Sequence, residues 1–138
     1  MADSIHSQRA PKPVGAYPHA RRVGNLLFLS GVGSRIPGTN EIPGAHYDEH
    51  GTLVSSDFEA ECHQVFSNVR QILEDAGADW SNLVDVTVFL THLERDFPTY
   101  NRLYADYFRE NQPCRTTLGV DRLPTDIAIE LKCIAVLD

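Results

Sequence analysis

The sequence predicts an α+β domain of element order β-β-α-β-α-β-β, a mixed sheet with two helices on one face. Three patterns predict it. Apolar residues recur at helical spacing over 55–76 and again over 98–109. Apolar and polar residues alternate over 83–90 and 127–136, as in strands with one buried face. Glycine and proline cluster between these stretches and punctuate them.

Residues 1–13 are polar, contain Pro11 and Pro13, and read as a weakly held arm. Tyr17 to Arg22 and Leu26 to Ser30 read as two short strands joined at Gly24-Asn25. Ser30-Gly31-Val32-Gly33 continues as a glycine-relaxed strand end. Residues 34–54 hold Pro37, Gly38, Asn40, Pro43, Gly44, Asp48 and Gly51 and read as a long loop of the kind that often carries function. Ser55 or Ser56 is expected to cap a helix through Ala76. Its apolar face is Phe58, Cys62, Val65, Phe66, Val69, Ile72, Leu73 and Ala76, and Gly77 suits the left-handed stop. In the strand Leu83 to Leu90, Val84, Val86, Val88 and Leu90 are expected on one face, Asp85 and Thr87 on the other. The second helix runs from about Pro98 to Arg109, with Asp96 as its cap and Tyr100, Leu103, Tyr104, Tyr107 and Phe108 as its stripe. Two terminal strands flank Leu123-Pro124. Two amphipathic helices cover only one face of such a sheet. Another copy of the chain is the simplest cover for the other.

The 138 residues suffice for one domain with its own core, and we assign 1–138 to a single domain. A net charge of −7 argues against nucleic acid or an anionic membrane as partner. No apolar run approaches spanning length, and the N-terminus lacks the pattern of a signal peptide, so the cytoplasm is the expected compartment. Cys62, Cys114 and Cys133 form no C-x-x-C pair and no even disulfide framework. His46 and His50 lie in the loop without an H-E-x-x-H pattern, so no metal is expected. Gly31-x-Gly33 lacks the third glycine and the following helix of a dinucleotide loop and is weak evidence for phosphate binding.

Two charged residues stand out in the terminal strands. Arg115 offers a planar, permanently charged fork that matches a carboxylate, or it is a surface arginine on an edge strand. Glu130 sits inside an alternating strand whose other face is Ile127, Ile129, Leu131 and Cys133. It can hold a water, or it pairs with Lys132 on a solvated face. Together the two suggest a pocket for an acidic molecule that reacts with water.

A series of fragments resembles the Rid family, the YjgF-type reactive intermediate deaminases. They are Gly15-Ala16-Tyr17, Leu29-Ser30-Gly31, Asn68-Val69, Ala76-Gly77, Val86-Thr87-Val88-Phe89-Leu90, Tyr100-Asn101, Tyr107-Phe108, Pro113-x-Arg115, Arg122-Leu123-Pro124 and Ile129-Glu130 with Ile134-Ala135-Val136. The resemblance implies a chorismate-mutase-like α+β fold and a homotrimer with a central barrel and active sites in the clefts between subunits. It implies cofactor-free hydrolysis of an enamine or imine to a ketone and ammonia. By the same resemblance, Arg115 clamps the substrate carboxylate, Glu130 holds the attacking water, and Tyr17, Ser30, Gly31 and Asn101 line the cleft. Thr117 stands where archetypal members often carry cysteine. The 34–54 loop is enlarged and also brings His46, Tyr47 and His50, and the run from Ser30-Gly31-Val32-Gly33 through Ser34-Arg35-Ile36-Pro37-Gly38, followed by Glu41-Ile42-Pro43-Gly44, resembles the 2-aminomuconate deaminase branch in particular. That branch implies a dicarboxylate substrate converted to 4-oxalocrotonate, and Arg35 is the candidate for its distal carboxylate. The alternatives are a general 2-imino acid deaminase and a non-catalytic trimeric binding or chaperone-like protein.

Overall fold

The structure is a computed structural model and describes residues 2–138. Strands β1 (Ala2–Ile5), β2 (Ala20–Val23), β3 (Leu26–Leu29) and β4 (Val32–Gly33) precede a small hairpin of β5 (His46–Tyr47) and β6 (Leu53–Ser55). Helix α1 (Phe58–Asp75), β7 (Leu83–Leu90), α2 (Leu93–Tyr107), β8 (Cys114–Gly119) and β9 (Ile129–Val136) follow. One mixed sheet has the order β1-β2-β3-β9-β7-β8, and β4 also pairs with β9. The β7–β8 pair is parallel, bridged by α2; the other pairs of this sheet are antiparallel.

Both helices bury their apolar stripes against the same sheet face. Val65, Phe66, Val69, Ile72 and Leu73 of α1 and Tyr100 and Leu103 of α2 meet Leu27, Leu29, Val86, Val88, Ile129 and Leu131 in one core. Each fully buried aliphatic or aromatic side chain there contributes about 1.5–3 kcal/mol. The opposite face is not covered. Glu130, Lys132, Ile134 and Val136 are only half-buried, and Leu26 and Leu118 are 37% and 43% exposed.

The structure corrects several sequence expectations. Residues 2–13 are not a loose arm. β1 pairs with β2, Ser7 Oγ donates to Asp75, and Arg9 bonds the same carboxylate at 2.6 Å. These side-chain contacts are polar and join residues 66 and 68 positions apart, so hydropathy does not reveal them. Helix α1 is capped by Asp57, which accepts from Ala60 N at 3.1 Å; Ser55 instead ends β6. Helix α2 starts at Leu93, before the expected Pro98. Asp96 is buried in its first turns and pairs with Arg95 through two 2.8 Å bonds instead of capping. Pro98 sits inside this helix, where it forgoes only the bond to the Glu94 carbonyl. Finally, a register shift between Leu83 and Asp85 turns Val84 outward at 42% exposure, because an extra residue in one strand re-aims its neighbours. The 34–54 segment is partly ordered by the β5–β6 hairpin. Gly77 at φ 80° ends α1 as expected.

Candidate functional site

Arg115 lies on the helix side of β8. Its ladder partner Val86 pairs onward with Cys133, and both are fully buried. Helix α2 supplies its surroundings. The guanidinium donates to Asn101 Oδ1 at 2.9 Å and stands 4.7 Å over the Tyr104 ring, with Tyr100 at 5.5 Å and Phe97 at 5.9 Å. Among the described residues it makes no salt bridge. A half-buried cation held by aromatic faces and one neutral amide has donors left over that no carboxylate among the described residues takes up. Burial pushes the Tyr104 phenol up to about 12, so it stays protonated beside the arginine.

Glu130 faces the other way, onto the side without helices. Its ladder partners are Gly33 on β4 and Phe89 on β7. The carboxylate lies directly over Gly31, so a Cβ there would collide with Glu130 Oε1. Only glycine permits this approach. Burial pushes the Glu130 carboxyl above its ordinary range, and the charge of Arg35 opposes that rise. No ion pair joins Glu130 to Lys132 among the described residues; Lys132 Nζ donates to the Leu29 carbonyl instead.

Gly31 belongs to a small cleft of about 30 Å³, also lined by Tyr17, Ser30, Arg35 and His19. That volume holds roughly one or two waters and no six-carbon acid. Ser30 Oγ donates to the Pro18 carbonyl at 2.7 Å. Arg35 donates to Asn40 Oδ1 and to the Lys12 carbonyl, both at 2.7 Å. His19 accepts from Ser7 N–H on Nδ1 at 2.9 Å and donates from Nε2 to the Pro11 carbonyl at 2.7 Å, tying the N-terminal segment over this cleft. His46, Tyr47 and His50 are exposed on the β5–β6 hairpin.

The predicted residues therefore fall into two groups. Arg115 and Asn101 form one. Glu130, Gly31, Ser30, Tyr17 and Arg35 form the other. Within one chain the groups sit on opposite faces of the sheet. The positions of Arg115 and Glu130 are two strands apart and three residues out of step, roughly 14 Å between backbones. Sequence reasoning missed three participants. Tyr104 reads as core from its helical spacing, yet it floors the arginine. Asn68, whose Nδ2 donates to the Gly33 and Arg35 carbonyls at 2.9 and 2.8 Å, is visible only as a polar break in an apolar helix face. Glu61, fully buried in the same helix, gives the same cue.

Fold and site together define a small α+β protein whose main sheet presents a cation on one face and a carboxylate on the other, next to a surface that none of the described residues covers. The sequence profile described as Endoribonuclease L-PSP matches residues 7–137. A RutC family protein of Pyrococcus abyssi is 39% identical over 131 residues, covering 95% of this chain and 94% of its own. The Reactive Intermediate Deaminase A, chloroplastic, of Arabidopsis thaliana is 39% identical over 133 residues, covering 96% of this chain and 65% of its own. The crystal structure of Escherichia coli TdcF with bound serine superposes with a TM-score of 0.85 at 32% identity, covering 99% of both chains. The chain belongs to the Endoribonuclease L-PSP family, the Rid family to which its sequence motifs point. The chorismate-mutase-like α+β arrangement implied by that resemblance is the one observed.

Proposed function

We propose that the protein hydrolyses enamine or imine acids to 2-oxo acids and ammonia, in sites assembled from two copies of the chain. The observation that carries this reading is Arg115, a half-buried guanidinium with no anionic partner among the described residues. The relative named for reactive intermediate deamination and the serine-bound neighbour support a small amino- or imino-acid ligand. A net charge of −7 opposes the RNA backbone that an endoribonuclease would grip.

One copy supplies Arg115 and Asn101. The neighbouring copy, in a homotrimer closed over the open sheet face, supplies Glu130, Gly31, Ser30 and Tyr17. Arg115 fixes the substrate carboxylate, and Glu130 holds a water against the adjacent C=N carbon. Water adds to that carbon while Glu130 accepts one of its protons and passes it to the nitrogen, giving a carbinolamine. The carbinolamine hydroxyl then gives its proton, through Glu130, to the amine, so that the C–N bond breaks and NH3 leaves as the C=O bond forms. Fixing both reactants in near-attack geometry supplies several kcal/mol of barrier reduction. A non-catalytic binding role would use Arg115 alone and leaves the costly half-burial of Glu130 without a purpose.

Mixing two inactive variants tests the assembly. Arg115→Ala and Glu130→Ala proteins, unfolded and reassembled together in equal amounts, regain roughly one quarter of wild-type activity, because one in four interfaces carries both intact groups. A site confined to one chain regains none, and that result would defeat the proposal.

The general names of these relatives support the broad enamine/imine reading over a single six-carbon substrate. Arg35 keeps the dicarboxylate reading, 2-aminomuconate included, as a finer possibility, since it lies in the same cleft as Gly31 and its charge reaches Glu130. Arg35→Ala is then expected to raise KM about two- to fivefold for a dicarboxylate and leave a monocarboxylate unchanged, as one exposed ion pair is worth up to about 1 kcal/mol. Equal KM values for the dicarboxylate in both proteins sink the finer reading.

A further inference from the structure

Helix α1 carries a carboxylate where an apolar residue is expected. Glu61 has no exposed surface. Its Oε1 accepts from Ser34 Oγ at 2.7 Å and from the Ala128 backbone N–H at 2.8 Å, while Oε2 is buried with no partner. Burial pushes this carboxyl up; the two hydrogen bonds oppose the rise, nearby Asp96 adds to it and Arg95 offsets it. A buried acid of this kind is usually less favourable than an apolar side chain of the same size. What it joins is therefore informative. Ser34 directly follows Gly33, the ladder partner of Glu130. Ala128 precedes Glu130 by two residues, just ahead of β9. Val32 and Gly33 meet Leu131 and Glu130 over only two residue pairs, so β4 itself is a weak clamp. Asn68, two turns along the same helix, holds the Gly33 and Arg35 carbonyls from the other end.

We propose that Glu61 is a positioning residue for the hydrolytic water site: through Oε1 it locks Ser34 to Ala128 and so fixes Glu130 over Gly31. The inference rests on the reading of Glu130 given above. Glu61 touches no substrate. It sets the register and spacing of the two short segments that carry the glutamate and the glycine beneath it. A shift of about 1 Å in such a group is enough to cost a hundredfold in rate. Only an acceptor oxygen is needed, so glutamine can replace glutamate and alanine cannot.

The test uses the full chain in its assembled form, with a 2-imino acid generated in place by an amino-acid oxidase. Glu61→Ala is expected to lower kcat at least about tenfold with KM within about twofold, because the Arg115 clamp is untouched; Glu61→Gln restores kcat to within about threefold. Ser34→Ala, which removes one of the two donors without burying a bare cavity, is expected to lower kcat a few-fold and serves if Glu61→Ala does not fold. Amide exchange at Ala128 is read in parallel, expected to quicken about tenfold or more in Glu61→Ala and to stay slow in Glu61→Gln. A lowered melting temperature with unchanged kcat in Glu61→Ala overturns the proposal, as does equal loss in the Gln and Ala variants or unchanged kcat in Ser34→Ala. A wild-type protein inactive on every imine tested defeats the deaminase reading instead. The exchange rates at Ala128 then still decide whether Glu61 holds that segment.

Discussion

Arg115→Ala is expected to lower kcat/KM for any 2-imino acid by roughly 10²–10³-fold while the chain stays folded. The magnitude follows from the setting of the side chain. Truncating one partner of a desolvated, hydrogen-bonded charge pair costs about 2–5 kcal/mol. In the free protein the same truncation removes one hydrogen bond to Asn101 and a set of ring contacts worth about 0.5–2 kcal/mol. Activity therefore falls far more than stability. Arg115→Lys does not rescue, because a single ammonium cannot reproduce the bidentate fork or rest on three aromatic rings in the same way. Steady-state kinetics beside a thermal melt separates the two effects. A variant that retains near-native kcat/KM removes the clamp from the mechanism, and one that fails to fold makes Arg115 structural.

Glu130→Gln is expected to lower kcat by roughly 10²–10⁴-fold, the usual range for losing a positioned acid–base group. Glutamine keeps the shape over Gly31 and can still bond a water, but it cannot take the proton. The same substitution changes stability in a defined direction. Burial raises the folded-state pKa of Glu130 above its unfolded value. The stabilisation linked to its protonated form is complete below the unfolded pKa and disappears as pH rises through the folded one. At neutral pH the wild type thus carries a half-buried charge that the glutamine variant lacks. The variant is expected to melt higher at about pH 7 and to lose that advantage toward about pH 3, below the unfolded pKa, where the wild-type carboxyl is protonated in both states. Melting curves at both pH values check the sign. An equal difference at the two pH values means that Glu130 does not titrate with folding, and retained kcat means that it does not activate the water.

The terminal strands show how far patterning reaches. Alternation in Ile129–Val136 assigns Ile129, Leu131 and Cys133 to the buried side and Glu130 to the other, and the observed burial follows it residue by residue. The same rule fails at Val84, since a bulge adds one residue and alternation has no memory of where register slips. Proline is usually a first-turn residue, which places the expected start of α2 too late. Here the helix begins at Leu93, and Phe97, in the turn ahead of Pro98, packs against the core. The arm escapes patterning because what holds it is a histidine with both nitrogens occupied and one shared aspartate, neither of which has a local sequence signature.

By itself the sequence determined the fold class, the two helix faces, the unpartnered side of the sheet and the residue types of the site, because period and polarity are local properties of a chain. Tertiary structure alone decided that Arg115 and Glu130 point to opposite faces of one sheet, since that depends on which strands become neighbours and in what register. It also decided that Gly31, in what reads as a glycine-relaxed strand end, gives a carboxylate room to approach, and that Glu61 joins two segments 27 and 67 residues away from it in the chain. Contacts over such separations are made by the fold and leave no period behind.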